Sequence, residues 1–247
     1  MNASFVLLSV TSLCLDHVNF KPRNFLDYVV YFPMLEDLSF VECNNIFDFN
    51  IVAPKLGSLN IIPRKFLCYC YKGFGVLQPN LDLRSISGLN LDCSTCCFEM
   101  FIEKLTRVGN APALNIELLK LHISSYSFPP KNINNSAFIH LLQACPKLCE
   151  LDMWGLQYLK INPEDFVLME ELSSVARTLK MLRTLKSSHF NGWRPEMQSI
   201  KVLLACFLGI KKVVIVRGWI RSDEEFKIMQ ELLRFPRASK AEFFYIK

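Results

Sequence analysis

Ten cysteines and four histidines carry most of the reactive chemistry in this 247-residue chain. The tightest group is Cys68-x-Cys70 with Cys93-x-x-Cys96-Cys97. A structural zinc needs four thiolate or imidazole ligands in a tetrahedron, and a Cys-x-x-Cys knuckle places two of them. The Cys-x-Cys pair is too short to suit a second knuckle, so ordinary thiols are expected here, and no metal. Cys14, Cys43, Cys145, Cys149 and Cys206 fall within or beside apolar positions, where a thiol behaves as a small hydrophobe. That usage fits a reducing cytoplasmic or nuclear compartment better than a disulfide scaffold. His17, His122, His140 and His189 are scattered, with no acidic or nucleophilic partner at a meaningful spacing. A Gly-rich phosphate loop, a nucleophile elbow and a His-Glu-x-x-His pair are all absent from the sequence. The expectation is a protein that is not an enzyme and holds no cofactor.

Charge is unevenly spread. Residues 1–170 hold 13 basic and 16 acidic side chains, and residues 171–247 hold 15 and 7, a net of −3 against +8. In the basic tail Lys201, Lys211, Lys212, Arg217, Arg221, Arg234 and Arg237 could face nucleic acid or an acidic protein. They are divided between two expected helices and a strand, without the interleaved aromatics that stack on bases. Solvated helix faces are the better reading, and a nucleic-acid binder the weaker one. No apolar run approaches the ~18–20 residues that span a bilayer. The apolar stretch Phe5–Leu15 lacks a basic flank before it, so neither a signal peptide nor a membrane partner is expected.

The elements that would position these groups follow one frame, with apolar residues at offsets of zero, three and five. It reads Leu148/Leu151/Met153, with Glu150 and Asp152 alternating as in a half-buried strand. It recurs as Val10/Leu13/Leu15, Leu35/Leu38/Phe40, Leu56/Leu59/Ile61, Ile86/Leu89/Leu91, Ile116/Leu119/Leu121, Ile210/Val213/Ile215 and Ala238/Ala241/Phe243. A degraded copy, Leu182/Leu185, has Ser187 in the third place. With 51% hydrophobic residues, a chance triple arises in roughly one window in eight, so no single copy is informative. The near-regular spacing is informative, as is a proline two residues before the first apolar position in four copies (Pro33, Pro54, Pro146, Pro236). A period of about 20–30 residues with one short strand per unit predicts a leucine-rich solenoid.

Between the strands, Asn24–Phe32, Phe98–Val108 and Ser136–Ala144 read as helices, the last with Ser136 as N-cap, and Lys65–Pro79 as an irregular crossover. Pro195 opens a helix presenting Met197, Ile200, Leu203, Leu204 and Phe207, and Val213–Val216 follows as a strand buried on both faces. Ser222 and Glu225 form a capping box for a helix with the stripe Phe226, Met229 and Leu233, and a last strand holds Phe243 and Tyr245.

In this tail, Leu182–Gly192 (LRTLKSSHFNG), Glu196, Leu203-Leu204-Ala205 and Glu231–Ser239 (ELLRFPRAS) resemble the FBD domain of plant F-box/FBD/LRR-repeat proteins. Upstream, Ala53–Leu56 (APKL) and Cys145–Leu148 (CPKL) resemble that family's irregular repeats. The resemblance implies an α/β fold: a right-handed leucine-rich-repeat solenoid over residues 1–170, with an FBD region over 171–247 that continues and caps it. It also implies a non-catalytic module that recruits a protein target, like the substrate-recognition part of an SCF-type ubiquitin ligase. No F-box occurs in the sequence, so the ligase adaptor is an expected partner only where an F-box lies upstream. A polar cover over Val10 is expected from a preceding domain, a partner or a lost exon. A remnant without any ligase role is the alternative.

Period-two alternation then turns a set of residues outward: Asp37 and Ser39, Ser58 and Asn60, Lys120 and His122, and Glu150, Asp152 and Trp154. Lined up across strands, they are expected to form a concave partner-binding strip with Trp154 as its anchor, or with Trp154 as a strand-end plug under Gly155.

Overall fold

The computed structural model describes residues 4–19, 29–43, 50–62, 85–94, 102, 113–124, 134–159, 161–162, 164–235 and 240–246. Its local logic begins at the turn before each strand. Leu35 N–H donates to Phe32 O (3.4 Å), Leu56 to Ala53 (3.1 Å) and Leu148 to Cys145 (3.1 Å). Pro33, Pro54 and Pro146 thus occupy the second place of a four-residue turn, where a fixed φ is pre-organised. The same turn forms without proline from Leu179 to Leu182 (3.2 Å) and from Phe207 to Ile210 (3.4 Å). Proline therefore sets up the turn into the strand at Pro33 and Pro54, where a strand precedes it, and at Pro146, where a helix ends just before it; the helix Ser222–Arg234 likewise ends just before Pro236. The frame also has a fourth apolar place, three residues ahead of the first. Phe32, Ala53, Cys145, Leu179 and Phe207 occupy it, and all are buried.

Nine strands follow in one parallel sheet, neighbouring one another in chain order. They are β2 (Ser12–Asp16), β4 (Asp37–Val41), β6 (Ser58–Ile62), β7 (Gly88–Ser94), β8 (Leu118–Ser124), β9 (Glu150–Trp154), β10 (Thr184–Phe190), β11 (Lys212–Arg217) and β12 (Glu242–Ile246). A smaller parallel sheet holds β1 (Ser4–Val6), β3 (Val29–Tyr31) and β5 (Asn50–Val52). The fold is α/β with parallel sheets. The small sheet corrects the expected helix Asn24–Phe32. Val29, Val30 and Tyr31 are β-branched or aromatic and pair on both sides, with Ser4–Val6 and Asn50–Val52; residues 24–28 lie outside the described residues.

Register turns the sequence frame into ladders. Leu13, Leu38, Leu59, Leu89, Leu119, Leu151, Leu185, Val213 and Phe243 align across the sheet. From Leu38 to Val213 none is more than 4% exposed. The next inner row runs Leu15, Phe40, Ile61, Leu91, Leu121, Met153, Ser187, Ile215 and Tyr245, so Ser187 stands buried where an apolar residue stood in other copies. Each strand entry is stitched to the one before by a shared carbonyl. Glu36 and Asp37 N–H both donate to Thr11 O, Gly57 and Ser58 to Glu36 O, and Cys149 and Glu150 to Glu117 O. Arg183 and Thr184 then share Cys149 O, and Lys211 and Lys212 share Arg183 O. These bonds satisfy backbone groups ahead of the ladder proper.

Helices cover the inner face in the second half. In α1 (Asn135–Ala144), Asn134 is the cap, accepting from Ser136 N–H, which corrects the assignment of Ser136; Phe138, Ile139, Leu141 and Leu142 are buried. The helix α2 (Phe166–Thr178) was not expected. Asp165 caps it, and Leu168, Leu172 and Val175 face the core, while Phe166 and Val167 point to solvent and blur the period. In α3 (Arg194–Cys206), Met197, Ile200, Leu203 and Leu204 pack inward as expected. In α4 (Ser222–Arg234) the inward residues are Ile228, Met229 and Leu232; Phe226 and Leu233 are exposed, which corrects the expected stripe. Arg221, not Ser222, stands at the cap position, which corrects the expected cap, and Glu225 pairs with Arg217 (3.3 Å). Of the expected helix Phe98–Val108 only Ile102 is described, helical and buried; Lys65–Pro79 lies outside the described residues.

The buried hydrophobic residues other than Val214 form a single cluster, and β9 pairs with β10 across residue 170. Cys145 sits in that cluster, and burial pushes its thiol up to about 12. At about pH 8 the folded chain should therefore leave Cys145 unalkylated by iodoacetamide while exposed Cys14 reacts. Peptide mapping with and without denaturant checks this; labelling of Cys145 in the folded protein would count against it.

Candidate functional site

Residues that alternate with the inner rows form the outer face of the nine-stranded sheet. Its middle row aligns Ser39, Asn60, Asn90, Lys120, Asp152 and Lys186 on successive strands. Three neighbouring pairs in this row are linked by side chains. Asn60 Nδ2–H donates to Ser39 Oγ (2.7 Å), and Asn90 Nδ2–H donates to Asn60 Oδ1 (2.8 Å). Such a ladder satisfies each amide from the next strand and holds the side chains in one orientation. Further along, Lys186 Nζ (2.7 Å) and Ser188 Oγ (2.8 Å) both donate to Asp152. Asp152 is only 7% exposed, so its expected role as a contact residue is corrected: its neighbours on β10 cover it. Lys120 is exposed and forms no ion pair among the described residues.

The row toward the strand ends carries the aromatic groups. His122 Nδ1 lies 2.8 Å from Asp92 Oδ2, and the His122 ring packs on the Trp154 indole. On the other side, the His189 ring lies 5.4 Å from Trp154. At the sheet edge, His17 Nδ1 meets Asp16 (2.7 Å) and its Nε2 meets Glu42 (3.0 Å). Two of the four histidines thus have acidic partners, which corrects the sequence expectation. The partners lie one, 25 and 30 residues away and meet through strand pairing. Asp92 is the acceptor at His122 Nδ1, which leaves the ring's other nitrogen, Nε2, to be satisfied elsewhere. That Nε2 is buried with no hydrogen-bond partner, and no hydroxyl or thiol among the described residues is bonded to it.

The row nearer the strand starts aligns Asp37, Ser58, Gly88, Leu118 and Glu150, a mixed row with a glycine and a leucine among polar residues. Sequence reasoning missed Asn90, Asp92, Lys186, Ser188 and His189. The first two occupy the same frame offsets as Asn60 and His122, a signal that was available.

Cys68, Cys70, Cys96 and Cys97 lie outside the described residues; among the described residues no cluster of three or more His, Cys, Asp and Glu is placed to hold a metal. In the basic tail, Arg217 is held by Glu225 and Ile220 O, Arg221 by Glu224, and Lys212 lies over the Phe244 ring (5.0 Å). Lys201 and Lys211 are exposed on separate elements, and Arg237 lies outside the described residues. Among the described residues, no helix is long and apolar enough to cross a membrane. Scans against family models, curated proteins and solved structures return no match to the chain.

Proposed function

We propose that this chain is a non-catalytic protein-interaction module, built as a right-handed leucine-rich-repeat solenoid. Residues 1–170 supply the repeats, and an FBD-like region over 171–247 continues and caps them. The carrying observation is the unbroken outer row from Ser39 to Lys186, six strands in register with one side chain per strand. Parallel strands ~4.8 Å apart make such a row an extended strip suited to an elongated protein surface. The target-recruiting half of an F-box protein has this character, and the motifs quoted from the tail support the same reading. Adaptor binding belongs to a form of the protein that carries an F-box, and the compartment that suits these free thiols is cytoplasmic or nuclear.

Within the strip, Lys120 is the free charge and Trp154 the aromatic anchor. Partners are recovered by affinity purification from the native tissue, and each is then produced pure and titrated against wild type, Lys120→Glu and Trp154→Ala. Each substitution is expected to weaken binding about tenfold, about 1.4 kcal/mol. Lys120→Glu should leave the thermal midpoint unchanged. Equal affinity for all three proteins would place the interaction elsewhere. A large fall in midpoint for Trp154→Ala, with affinity kept in Lys120→Glu, would make Trp154 a strand-end plug between His122 and His189.

A further inference from the structure

The tail motif Leu182–Gly192 ends on Asn191-Gly192, the single asparagine-glycine pair in the chain. Asparagine is thermolabile, and most so before glycine, whose nitrogen has no side chain beside it to hinder attack on the amide. The structure shows why the chain keeps both residues all the same.

Backbone and packing demand Gly192. Its φ is +74°, and a Cβ there would overlap the Ile228 side chain of α4 at 2.3 Å. Asn191 is demanded by its two-sided amide. Its Nδ2–H donates to His189 O (3.0 Å), and its Oδ1 accepts from Trp219 N–H in the loop after β11 (2.8 Å). An amide can serve both partners at once, whereas an ionised aspartate only accepts. Gly218 leaves room for this amide, since a Cβ there would come within 2.6 Å of Asn191 Oδ1.

The same contacts restrain the groups that would react. Glu196 in α3 is 2% exposed, and its Oε2 accepts from Asn191 N–H (3.0 Å) and Trp193 N–H (3.1 Å). The Gly192 N–H, between them, and the Asn191 side-chain amide also turn to this carboxylate. The nitrogen that would attack is therefore bound to Glu196, and the amide it would attack is bound at both of its polar atoms.

We propose that Asn191-Gly192 is a deamidation site that the fold holds closed, with the Glu196 carboxylate as its clasp, and that conversion permanently releases the Trp219 loop from β10. In the reaction, Gly192 N gives its proton to water and bonds to Asn191 Cγ. The Cγ–Nδ2 bond breaks, and ammonia leaves with a proton from water. Water then opens the cyclic imide at either carbonyl, leaving aspartate or isoaspartate; water is the sole co-reactant. Aspartate has no hydrogen for His189 O and brings a second carboxylate toward buried Glu196. Isoaspartate lengthens the main chain by one carbon, which moves Gly192 off Ile228. Neither product rebuilds the clasp.

The test holds the full chain in mildly alkaline buffer, native and in urea, and follows position 191 by peptide mass spectrometry that resolves asparagine, aspartate and isoaspartate. Conversion needs an excursion that opens the clasp, so the native rate should be at least about tenfold below the rate in urea. Glu196→Gln keeps an acceptor and should stay protected, while Glu196→Ala should convert at a rate approaching that in urea. Asn191→Asp, which makes the product directly, should melt below wild type and show faster amide exchange at Trp219. That readout holds even where Glu196→Ala does not fold. Equal native and urea rates overturn the protected site, as does a native rate above the urea rate, which would make Glu196 a base that promotes the attack. A folded Glu196→Ala converting at the wild-type rate overturns the clasp. Asn191→Asp with the wild-type midpoint and wild-type exchange overturns the release.

Discussion

Gly155→Ala is expected to lower the thermal midpoint by roughly 5–15 °C, while Gly88→Ala leaves it unchanged or slightly raised. Both glycines belong to the same sheet, one at the end of β9 and one at the start of β7. Gly155 adopts φ +89°, and a Cβ there would collide with the carbonyl oxygen and carbon of Ile123 on the neighbouring strand. Backbone cannot swing aside as a side-chain tip can. The pairs Leu121–Met153 and His122–Trp154 hold the two strands together immediately before the collision. A left-handed alanine costs about 1–2 kcal/mol, and forced overpacking about 1–3 kcal/mol more. A Cβ on Gly88, by contrast, would meet nothing nearer than 3.9 Å, the Ser58 side chain, which is ordinary contact. Alanine there also restricts the unfolded chain, which favours folding by a few tenths of a kcal/mol. Parallel melting of the two variants checks the contrast. Similar midpoints would mean that the end of β9 can shift without loss.

The left-handed residue at 155 belongs to a pattern. His17, Glu42 and His189 also have positive φ, and each lies seven residues after the first apolar place of its copy, as Gly155 does. Only one of the four is glycine, so composition hid a backbone feature that the frame would have located. The apolar ladders were legible because zero, three and five describe a turn followed by a strand buried on one face, and burial enforces that pattern in every copy. The position three residues ahead escaped notice because it varies in type, from Cys145 to Phe207, and in burial, since Leu7 and Ala113 are exposed there while Phe32, Ala53, Cys145, Leu179 and Phe207 are buried.

Other misses came from choices that only tertiary contacts decide. In α4, Phe226/Met229/Leu233 and Ile228/Met229/Leu232 both have helical spacing. Gly192, which has no side chain, leaves room for Ile228, and Arg217 draws Glu225 inward, so the second stripe is buried. In the outer face, the alternation of Glu150, Asp152 and Trp154 was legible, but the cover over Asp152 was not. Lys186 and Ser188 lie 34 and 36 residues downstream and reach it only through the β9–β10 register.

Glu196 should show the largest difference between two substitutions at one site. Removing the carboxylate as Glu196→Ala leaves Asn191 and Trp193 N–H without their acceptor in a buried place. At about 1–3 kcal/mol per orphaned group, a loss of roughly 2–5 kcal/mol is expected at neutral pH. Glu196→Gln keeps an acceptor oxygen of the same reach and removes the charge, so its stability should match or exceed wild type. The pH dependence follows from burial, which raises the Glu196 carboxyl above its ordinary value of 4.5 against the opposing pull of the N–H donors. With the folded value above the unfolded one, the folded chain binds the proton first as pH falls. This group's contribution is thus greatest in acid and declines as pH rises from the unfolded value through the raised folded value. Wild type should therefore gain on Glu196→Gln when urea unfolding is moved from about pH 7 to about pH 5, because only wild type has this carboxyl to protonate. A gap that narrows toward neutral pH would mean that the N–H donors outweigh burial and that the ionised carboxylate is the stabilising form. In Glu196→Ala the Trp219 loop should also loosen, since Asn191 loses the bond that fixes its backbone; faster amide exchange at Trp219 would register that, and unchanged exchange would separate the loop from Glu196.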